Sequence, residues 1–212
     1  MKVVEIFKSL DGEGLRAGFP ATFIRLEGCN LRCSYCDTRY SYQNAEYTIM
    51  TPEEIYTKVY KLGCNRITLT GGEPLIHEDV EQLVDILTQN GFEVNIETNG
   101  SINISNYINK PNVIITMDYK CPSSGMCDEM LLTNLPILRR GDVLKFVVGS
   151  KEDLDACRDL IKRVDCQIYI SPVFGKIELK EIAEYILEHD MQNCRLQVQL
   201  HKIVWDPAQR GV

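Results

Sequence analysis

The sequence lacks several features that would assign it to common protein classes. It has no apolar run long enough to span a membrane, and its N-terminus, MKVVEIFKSLDGEG, lacks the apolar segment of a secretory signal. Positive charge is in deficit: 23 Lys and Arg face 30 Asp and Glu, and the net charge of −7 argues against a nucleic-acid-binding surface. With only His77, His189 and His201 present, no catalytic triad is apparent.

Cysteine, by contrast, is abundant. An odd count of nine cysteines without a secretory signal indicates a reducing cytoplasm, where thiols stay free or bind metals. Cys121 and Cys127 flank a Ser/Gly loop, so a role for them at a site stays open. Most of the six scattered cysteines are expected to be small buried side chains: Cys64, Cys121, Cys127, Cys157, Cys166 and Cys194.

The remaining cysteines, Cys29, Cys33 and Cys36, form a compact CxxxCxxC motif. A tetrahedral zinc site needs four ligands, and no fourth Cys or His lies nearby. A 4Fe–4S cluster held by three cysteines keeps one iron open for an outside ligand, which suits a cluster that does chemistry. Three incidental cysteines, or a redox pair with a bystander, are the alternatives.

Strands and helices alternate along most of the chain. Such βα units predict an α/β fold with a parallel sheet. About six units predict a partial, open βα barrel rather than a closed eight-stranded one, with its site at the carboxyl ends of the strands. The apolar patterns predict strands at 3–7, 21–27, 66–70, 92–97, 113–118, 143–148, 167–170 and 196–200, and helices at 52–62, 78–90, 127–134, 152–164 and 179–189.

Polar motifs follow several of these strands. In GGEP at 71–74, Gly72 allows close approach of a ligand, and Glu73 can accept hydrogen bonds from an ammonium group; a simple turn is the alternative. Thr98 and Asn99 are placed for carboxylate or ribose contacts. Lys120 can neutralise a carboxylate, or is a solvated surface lysine. Ser123, Ser171 and Pro172 complete the set.

Three further features suggest a polar substrate. Arg25 lies within a predicted strand, and if it points inward it needs an anion; the alternative is an outward arginine. The hydroxyl of Thr38, next to Asp37, is suited to a hard cation such as Mg²⁺. QLHK at 199–202 and Trp205 put a polar cluster near the pocket.

Together these motifs resemble the radical S-adenosylmethionine (SAM) superfamily. There the open iron binds the amino and carboxylate groups of SAM, and a GGE motif holds the amino group. A reduced cluster cleaves SAM, and the 5′-deoxyadenosyl radical abstracts hydrogen from the substrate. Within it, the DGEG loop, CxxxCxxC-DT, GGEP, ETNG and the QLHK…W ending resemble, over nearly the whole chain, the 7-carboxy-7-deazaguanine synthase family of queuosine and 7-deazapurine biosynthesis.

The resemblance implies a carbon–nitrogen lyase acting on 6-carboxy-5,6,7,8-tetrahydropterin. Hydrogen is taken from carbon 6, the ring contracts, ammonia leaves, and 7-carboxy-7-deazaguanine forms while SAM is regenerated. Implied cofactors are a 4Fe–4S cluster, SAM and Mg²⁺, and an implied partner is an electron donor such as flavodoxin or ferredoxin. A homodimer is implied too, and one radical SAM domain over 1–212, with an N-terminal substrate loop and a C-terminal tail that closes over the substrate.

Site residues are carried over by position. The implied metal ligands are Cys29, Cys33 and Cys36 for the cluster and Thr38 for Mg²⁺. The implied SAM contacts are Gly72, Glu73, Asn99, Lys120, Ser123, Ser171 and Pro172. The implied substrate contacts are Leu10, Asp11, Gly12, Glu13, Arg25, Thr70, His201 and Val212.

Two of the substrate contacts carry specific expectations. The family often has Gln where this chain has Asp11, and an aspartate cannot donate a hydrogen bond as an amide does. The resemblance places the terminal carboxylate of Val212 against the pterin, so extending the chain beyond Val212 is expected to weaken substrate binding. A frayed terminus is the alternative.

Two other functions stay open. A glycyl-radical-enzyme activase shares the cluster, GGEP and a similar N-terminal loop, but its protein substrate requires an open docking face. A non-catalytic iron–sulfur or zinc module would have no use for GGEP, TNG and Lys120 at consecutive strand ends.

Overall fold

The computed structural model describes residues 1–206 and 209–212, which contain one nine-stranded sheet. Its spatial order is β3-β1-β2-β4-β5-β6-β7-β8-β9. The strands are β1 (Lys2–Leu10), β2 (Pro20–Leu26), β3 (Thr48–Ile49), β4 (Arg66–Gly71), β5 (Glu93–Thr98), β6 (Val113–Tyr119), β7 (Val143–Val148), β8 (Gln167–Pro172) and β9 (Cys194–Leu196). The helices are α1 (Pro52–Leu62), α2 (Val80–Gln89), α3 (Ser105–Ile108), α4 (Lys151–Leu160), α5 (Leu179–Glu188) and α6 (His201–Val204).

The predicted α/β class and the open, parallel sheet are confirmed. From β2 to β9, each pair of neighbouring strands in the sheet is parallel. Strand β1 runs antiparallel to β2 and carries the short β3 at its other side. Among the described residues, β3 and β9 are edge strands that do not pair with each other, so the sheet does not close.

Local capping explains where α1 begins and ends. Thr51 accepts a hydrogen bond from the Glu54 amide, and the Glu54 side chain accepts one from the Thr51 amide, with Pro52 at the first helical position. Gly63 ends the helix in the left-handed conformation at φ 65°. This matches the helix predicted at 52–62.

Two predicted elements were wrong. The last strand is Cys194–Leu196 and not 196–200. Beyond it the Gln197 side chain binds the backbone amide and carbonyl of Gly14, at 2.8 and 3.2 Å, and the Leu200 amide donates to the Gly12 carbonyl, so the chain follows the loop after β1. The helix predicted at 127–134 consists of two 3₁₀ turns, Cys127–Glu129 and Leu132–Ile137. Pro136 lacks an amide hydrogen and disfavours a regular α-helix there.

The two faces of the sheet differ in chemistry. Side chains alternate between the faces of a strand. On one face Ile24, Leu69, Ile96 and Phe146 are fully buried in the core that includes the helices. The opposite face carries polar side chains that line a cavity: Arg25, Thr70, Glu97, Thr116, Asp118 and Lys145.

No helix within the described residues is long and apolar enough to cross a membrane.

Candidate active site

A cavity of about 300 Å³ lies over the polar face of the sheet, at the carboxyl ends of its strands. Its walls come from the strands, from the end of the chain and from the loop between β2 and β3. That loop carries Cys29, Cys33 and Cys36 and is called the cysteine loop below. Most of the predicted site residues line it: Leu10, Gly12, Glu13, Arg25, Cys29, Cys33, Cys36, Thr38, Thr70, Gly72, Asn99, Lys120, His201 and Val212. Five do not: Asp11, Glu73, Ser123, Ser171 and Pro172.

The cysteine loop presents Cys29, Cys33 and Cys36 to this cavity as half-buried, free thiols. The Cys29 sulfur accepts hydrogen bonds from the Leu31 amide at 3.4 Å and the Asn99 side chain at 3.8 Å. Burial raises the pKa of the Cys29 and Cys33 thiols. Metal ligands must lose these protons, so metal binding here would release protons.

The spacing of these sulfurs bears on the kind of metal site. Among the described residues, no three of His, Cys, Asp and Glu come together as the ligands of one metal ion. A single zinc ion requires four ligands at roughly 2.0–2.3 Å from one point. An iron–sulfur cluster instead binds each cysteine through a different iron. The thiols are therefore not gathered around a point that one zinc ion could occupy, and the assignment to a cluster rests on the CxxxCxxC spacing.

The GGEP turn packs directly against the cysteine loop. A Cβ on Gly72 would lie 2.2 Å from the Gly28 carbonyl oxygen and 2.6 Å from the Cys29 Cβ. The amide of Glu73 donates to the same Gly28 carbonyl at 2.8 Å. Gly72 is thus required for close approach of two loops.

The Glu73 carboxylate is buried beneath the cavity and joins two strand ends. It accepts hydrogen bonds from the Asn99 amide at 2.6 Å, the Thr98 hydroxyl at 2.8 Å and the Leu75 amide at 3.0 Å. Burial raises its pKa to about 7. Its side chain holds the TNG turn, while Gly72 and Asn99 reach the cavity.

A chain of four alternating charges crosses the floor of the cavity. Lys120 donates to Asp118 at 2.9 Å, Asp118 lies 3.7 Å from Lys145, and Lys145 donates to Glu13 at 3.2 Å. Burial opposes the charge of both lysines, but the neighbouring carboxylates outweigh it and raise the pKa of each. The Ser171 hydroxyl, which is not part of the cavity lining, donates to Glu13 at 2.8 Å.

A second charged group stands at the β1–β2 side. Arg25 donates to Glu5 at 2.7 Å, and the Tyr40 hydroxyl donates to the same Glu5 oxygen at 2.9 Å. The Arg210 guanidinium lies over the Tyr40 ring, 4.0 Å from its centre. Two arginines therefore reach one side of the cavity, and the inward orientation expected for Arg25 is what the structure has.

Helix α6 covers the cavity next to the cysteine loop. The Lys202 ammonium lies 3.0 Å from Asp37, which also accepts a hydrogen bond from Thr38 at 2.9 Å. Desolvation opposes the Asp37 charge, but Lys202 and Thr38 outweigh it and lower its pKa to about 2. Burial lowers the pKa of His201. The His201 ring packs against Gly12, where an added Cβ would lie 2.3 Å from its Nδ1.

Two predicted contacts have structural partners behind the cavity. The Asp11 carboxylate is 3.1 Å from Arg16 and accepts a hydrogen bond from Thr68 at 2.6 Å. Burial raises its pKa to about 6. Ser123 is held by Asp153, which accepts from its amide at 2.9 Å. Leu10 and Gly12, which flank Asp11, line the cavity.

Several cavity residues were not predicted from the sequence, among them Glu97, Asp118, Lys145, Tyr40 and Arg210. Asp118 and Lys145 are the single charged residues of the largely apolar strands VIITMDY and VLKFVV, and Glu97 is the second glutamate of EVNIET. A charge inside a buried strand needs a partner, so these charged residues in the strand sequences were the signal that could have placed them in the site.

Comparison with known proteins gives consistent matches. The Radical SAM superfamily matches residues 23–114. A 7-carboxy-7-deazaguanine synthase of Clostridium acetobutylicum is 43% identical over 100% of this chain and 99% of its own length. One from Methanospirillum hungatei is 41% identical over 98% of this chain and 86% of its own. The crystal structure of QueE from Escherichia coli covers 94% of both chains with a TM-score of 0.78 and 27% identity.

Proposed function

The chain belongs to the 7-carboxy-7-deazaguanine synthase family, and from that premise we propose that it is a radical SAM carbon–nitrogen lyase. It converts 6-carboxy-5,6,7,8-tetrahydropterin into 7-carboxy-7-deazaguanine and ammonia. The observation that carries this function is the meeting of the three-cysteine loop, the GGEP and TNG turns and a charged cavity at the carboxyl ends of the strands.

The cofactors divide the cavity into two parts. Cys29, Cys33 and Cys36 would hold a 4Fe–4S cluster, and Gly72, Asn99 and Lys120 would contact SAM. When bound, these groups supply the one-electron chemistry by which hydrogen is abstracted from the substrate. Glu73 and Ser123 are proposed to act from behind, by holding the loops that reach the cofactors, while Ser171 and Pro172 are proposed to support the site from the end of β8, where Ser171 donates to Glu13.

The substrate part lies between the arginines and Glu13. Arg25 is suited to the substrate carboxylate, because a guanidinium binds carboxylates in paired fashion. Glu13 offers acceptor oxygens to the N–H groups of the pterin, and Lys145, Ser171 and Gln199 hold it in place. Thr70, His201, Val212 and the backbone around Leu10 and Gly12 would complete the contact surface.

We propose Mg²⁺ at Thr38. Mg²⁺ commonly keeps several waters and takes one or two protein ligands together with substrate oxygens, and Thr38 and Asp37 both line the cavity. The neighbouring Asp37 adds negative charge, although Lys202 now pairs with it. Added Mg²⁺ is expected to raise turnover, and Thr38→Ala to blunt that response. Equal activity in chelator-treated and Mg²⁺-supplemented enzyme would contradict the site.

Assembly, location and reductant rest on the family and on composition. A homodimer follows the family and is tested by light scattering of the reconstituted protein. A cytoplasmic location is in keeping with nine free cysteines. Flavodoxin or ferredoxin is proposed as the electron donor.

One reaction tests the function. Reconstituted protein is reduced with dithionite under anaerobic conditions and given SAM and 6-carboxy-5,6,7,8-tetrahydropterin, and carboxydeazaguanine is sought by mass spectrometry. Cys33→Ala is the control, and it should neither cleave SAM nor form product. SAM cleavage without product would point to another substrate, as in the activase alternative. Absence of SAM cleavage by the wild-type protein would favour the non-catalytic iron–sulfur or zinc module.

A further inference from the structure

A second guanidinium, carried by the end of the chain, reaches the side of the cavity where Arg25 lies. Arg210 lines the cavity, and its guanidinium lies over the Tyr40 ring, 4.0 Å from the ring centre. The Arg25 guanidinium lies 5.7 Å from the centre of the same ring. Tyr40 is thus a common contact of two cations, and the proposed substrate site uses only Arg25.

The Tyr40 ring is held in place from two directions. It belongs to the 3₁₀ turn Arg39–Ser41, in which the Ser41 amide donates to the Thr38 carbonyl at 2.9 Å. The Tyr40 hydroxyl donates to Glu5 of β1 at 2.9 Å. Because the ring is tied both to the cysteine loop and to the sheet, it is a fixed surface that can position the side chain of a residue near the chain end.

The backbone of the last residues keeps the tail at the cavity. Gly211 has φ 72°, in the left-handed region that favours glycine. Arg210 and Val212, on its two sides, both line the cavity. The tail therefore brings the Arg210 side chain to the site together with Val212, which is a proposed substrate contact.

The charges on this side of the cavity favour a role for Arg210 beside Arg25. Arg25 donates from its Nε to Glu5 at 2.7 Å, and both side chains are largely shielded from solvent. A substrate carboxylate next to Arg25 would therefore also meet the charge of Glu5, which repels it. Contact with a ring does not use the N–H donors of a guanidinium, so the Tyr40 contact does not consume the donors of Arg210. Two guanidiniums match a carboxylate here better than Arg25 alone.

We propose that Arg210, held by the Tyr40 ring, is a further substrate-binding residue that pairs with the substrate carboxylate and makes the enzyme selective for carboxylated pterins. This proposal rests on the proposed function, because it concerns the substrate of the same site. Arg210 would bind the carboxylate through charge-assisted hydrogen bonds. Tyr40 is a positioning residue that acts through Arg210.

The test measures the binding of two ligands that differ in the carboxylate. Reconstituted protein with an oxidised cluster, SAM and Mg²⁺ is titrated with 6-carboxypterin or with 6-methylpterin, and the dissociation constants are measured by pterin fluorescence. Arg210→Gln removes the charge, and Arg210→Lys keeps the charge without the paired geometry of a guanidinium. Arg163→Gln is the matched control, at an exposed arginine in the turn before β8.

Arg210→Gln should raise the dissociation constant of 6-carboxypterin by about tenfold to a hundredfold, as loss of a hydrogen bond to a charged group does, and change that of 6-methylpterin by less than about twofold. Arg210→Lys should lose less affinity, and Arg163→Gln should match the wild type. Equal weakening of both ligands would mean that Arg210 only holds the tail, and unchanged binding of both would mean that it does not reach the substrate. Either result would overturn the proposal.

Two substitutions at Tyr40 test the contact with the ring. Tyr40→Phe and Tyr40→Leu both remove the hydroxyl that donates to Glu5, and only Tyr40→Leu removes the ring. Tyr40→Leu should weaken 6-carboxypterin binding severalfold more than Tyr40→Phe, and this difference should disappear in the Arg210→Gln protein. A difference of equal size in both backgrounds, or none in either, would overturn the positioning role of Tyr40.

Failure of the proposed function would have a different signature. A wild-type protein that prefers 6-carboxypterin, and loses this preference in Arg210→Gln, but forms no carboxydeazaguanine would reject the proposed reaction and not the carboxylate site.

Discussion

Gly72 is the residue on which contact between the cysteine loop and the sheet depends. An added Cβ would come within 2.2 Å of a backbone oxygen and 2.6 Å of the Cys29 Cβ. Neither atom belongs to a flexible side-chain end, so relief requires moving the backbone that carries a proposed cluster ligand.

We therefore expect Gly72→Ala to destabilise the fold by about 1–3 kcal/mol, as overpacking does, and to lower the iron bound after reconstitution. Urea unfolding and iron per chain measure the two effects. Gly141→Ala is the matched control, because no atom lies within 4 Å of its added Cβ. Equal stability and iron content in both variants would contradict the role given to Gly72.

Asp11 gives a second prediction at this scale. Its pKa is raised by burial from 3.8 to about 6, so the folded state binds the proton more tightly than the unfolded state. Its contribution to stability is then full below about pH 4 and is lost as the pH rises through about 6. The change is on the order of 3 kcal/mol, at 1.36 kcal/mol per pKa unit.

Asp11→Asn should remove this part of the pH dependence, although losing the partner of the buried Arg16 will also lower stability overall. Urea unfolding of metal-free, reduced protein from about pH 4 to 7 gives the two curves. The wild type should lose stability relative to the variant across this range. Parallel curves would show that Asp11 does not titrate as its burial implies.

At the scale of elements, the sequence predicted the features that are set by neighbouring residues, such as helix ends, and not those set by contacts between distant residues. The two ends of α1 could be predicted from the sequence, because Thr51 and Glu54 cap its start and Gly63 ends it. The end of β9 could not, because the chain beyond it follows contacts such as that of Gln197 with Gly14, 183 residues away. The charge chain of Lys120, Asp118, Lys145 and Glu13 was likewise hidden, since its members meet only when two strands, β6 and β7, and two loops lie together.

Helix α6 is tied to the cysteine loop by Lys202 and Asp37, and this pair should affect substrate binding. We expect Lys202→Gln and Asp37→Asn each to raise the KM for the pterin, because either change loosens the helix that carries His201. A double-mutant cycle should give a coupling of about 0.5–3 kcal/mol, as residues in direct contact do. Strictly additive effects on KM would mean that the pair does not hold the helix.

At the scale of the whole molecule, the site and the core occupy opposite faces of one sheet. The apolar cluster of the strands and helices includes Leu83, Ile96 and Phe146, all fully buried, and none of these lines the cavity. The cysteine loop has its own attachments to protein, through Ser34 to the Ser123 and Ser124 carbonyls and through the Gly28 carbonyl to the Glu73 amide. The fold therefore does not need the cluster in the way a zinc finger needs zinc.

Removing the metal should accordingly leave the fold in place. We expect metal-free protein to keep the far-UV circular dichroism of the reconstituted protein and to unfold in one cooperative transition, with cluster and SAM raising Tm by mass action. In the metal-free state Cys33→Ala should change the free energy of unfolding by less than about 1 kcal/mol, because its side chain is only half buried. Leu83→Ala, in the core, should cost about 2–5 kcal/mol. Loss of cooperativity on metal removal, or equal costs for the two substitutions, would mean that the cluster loop is part of what holds this sheet together.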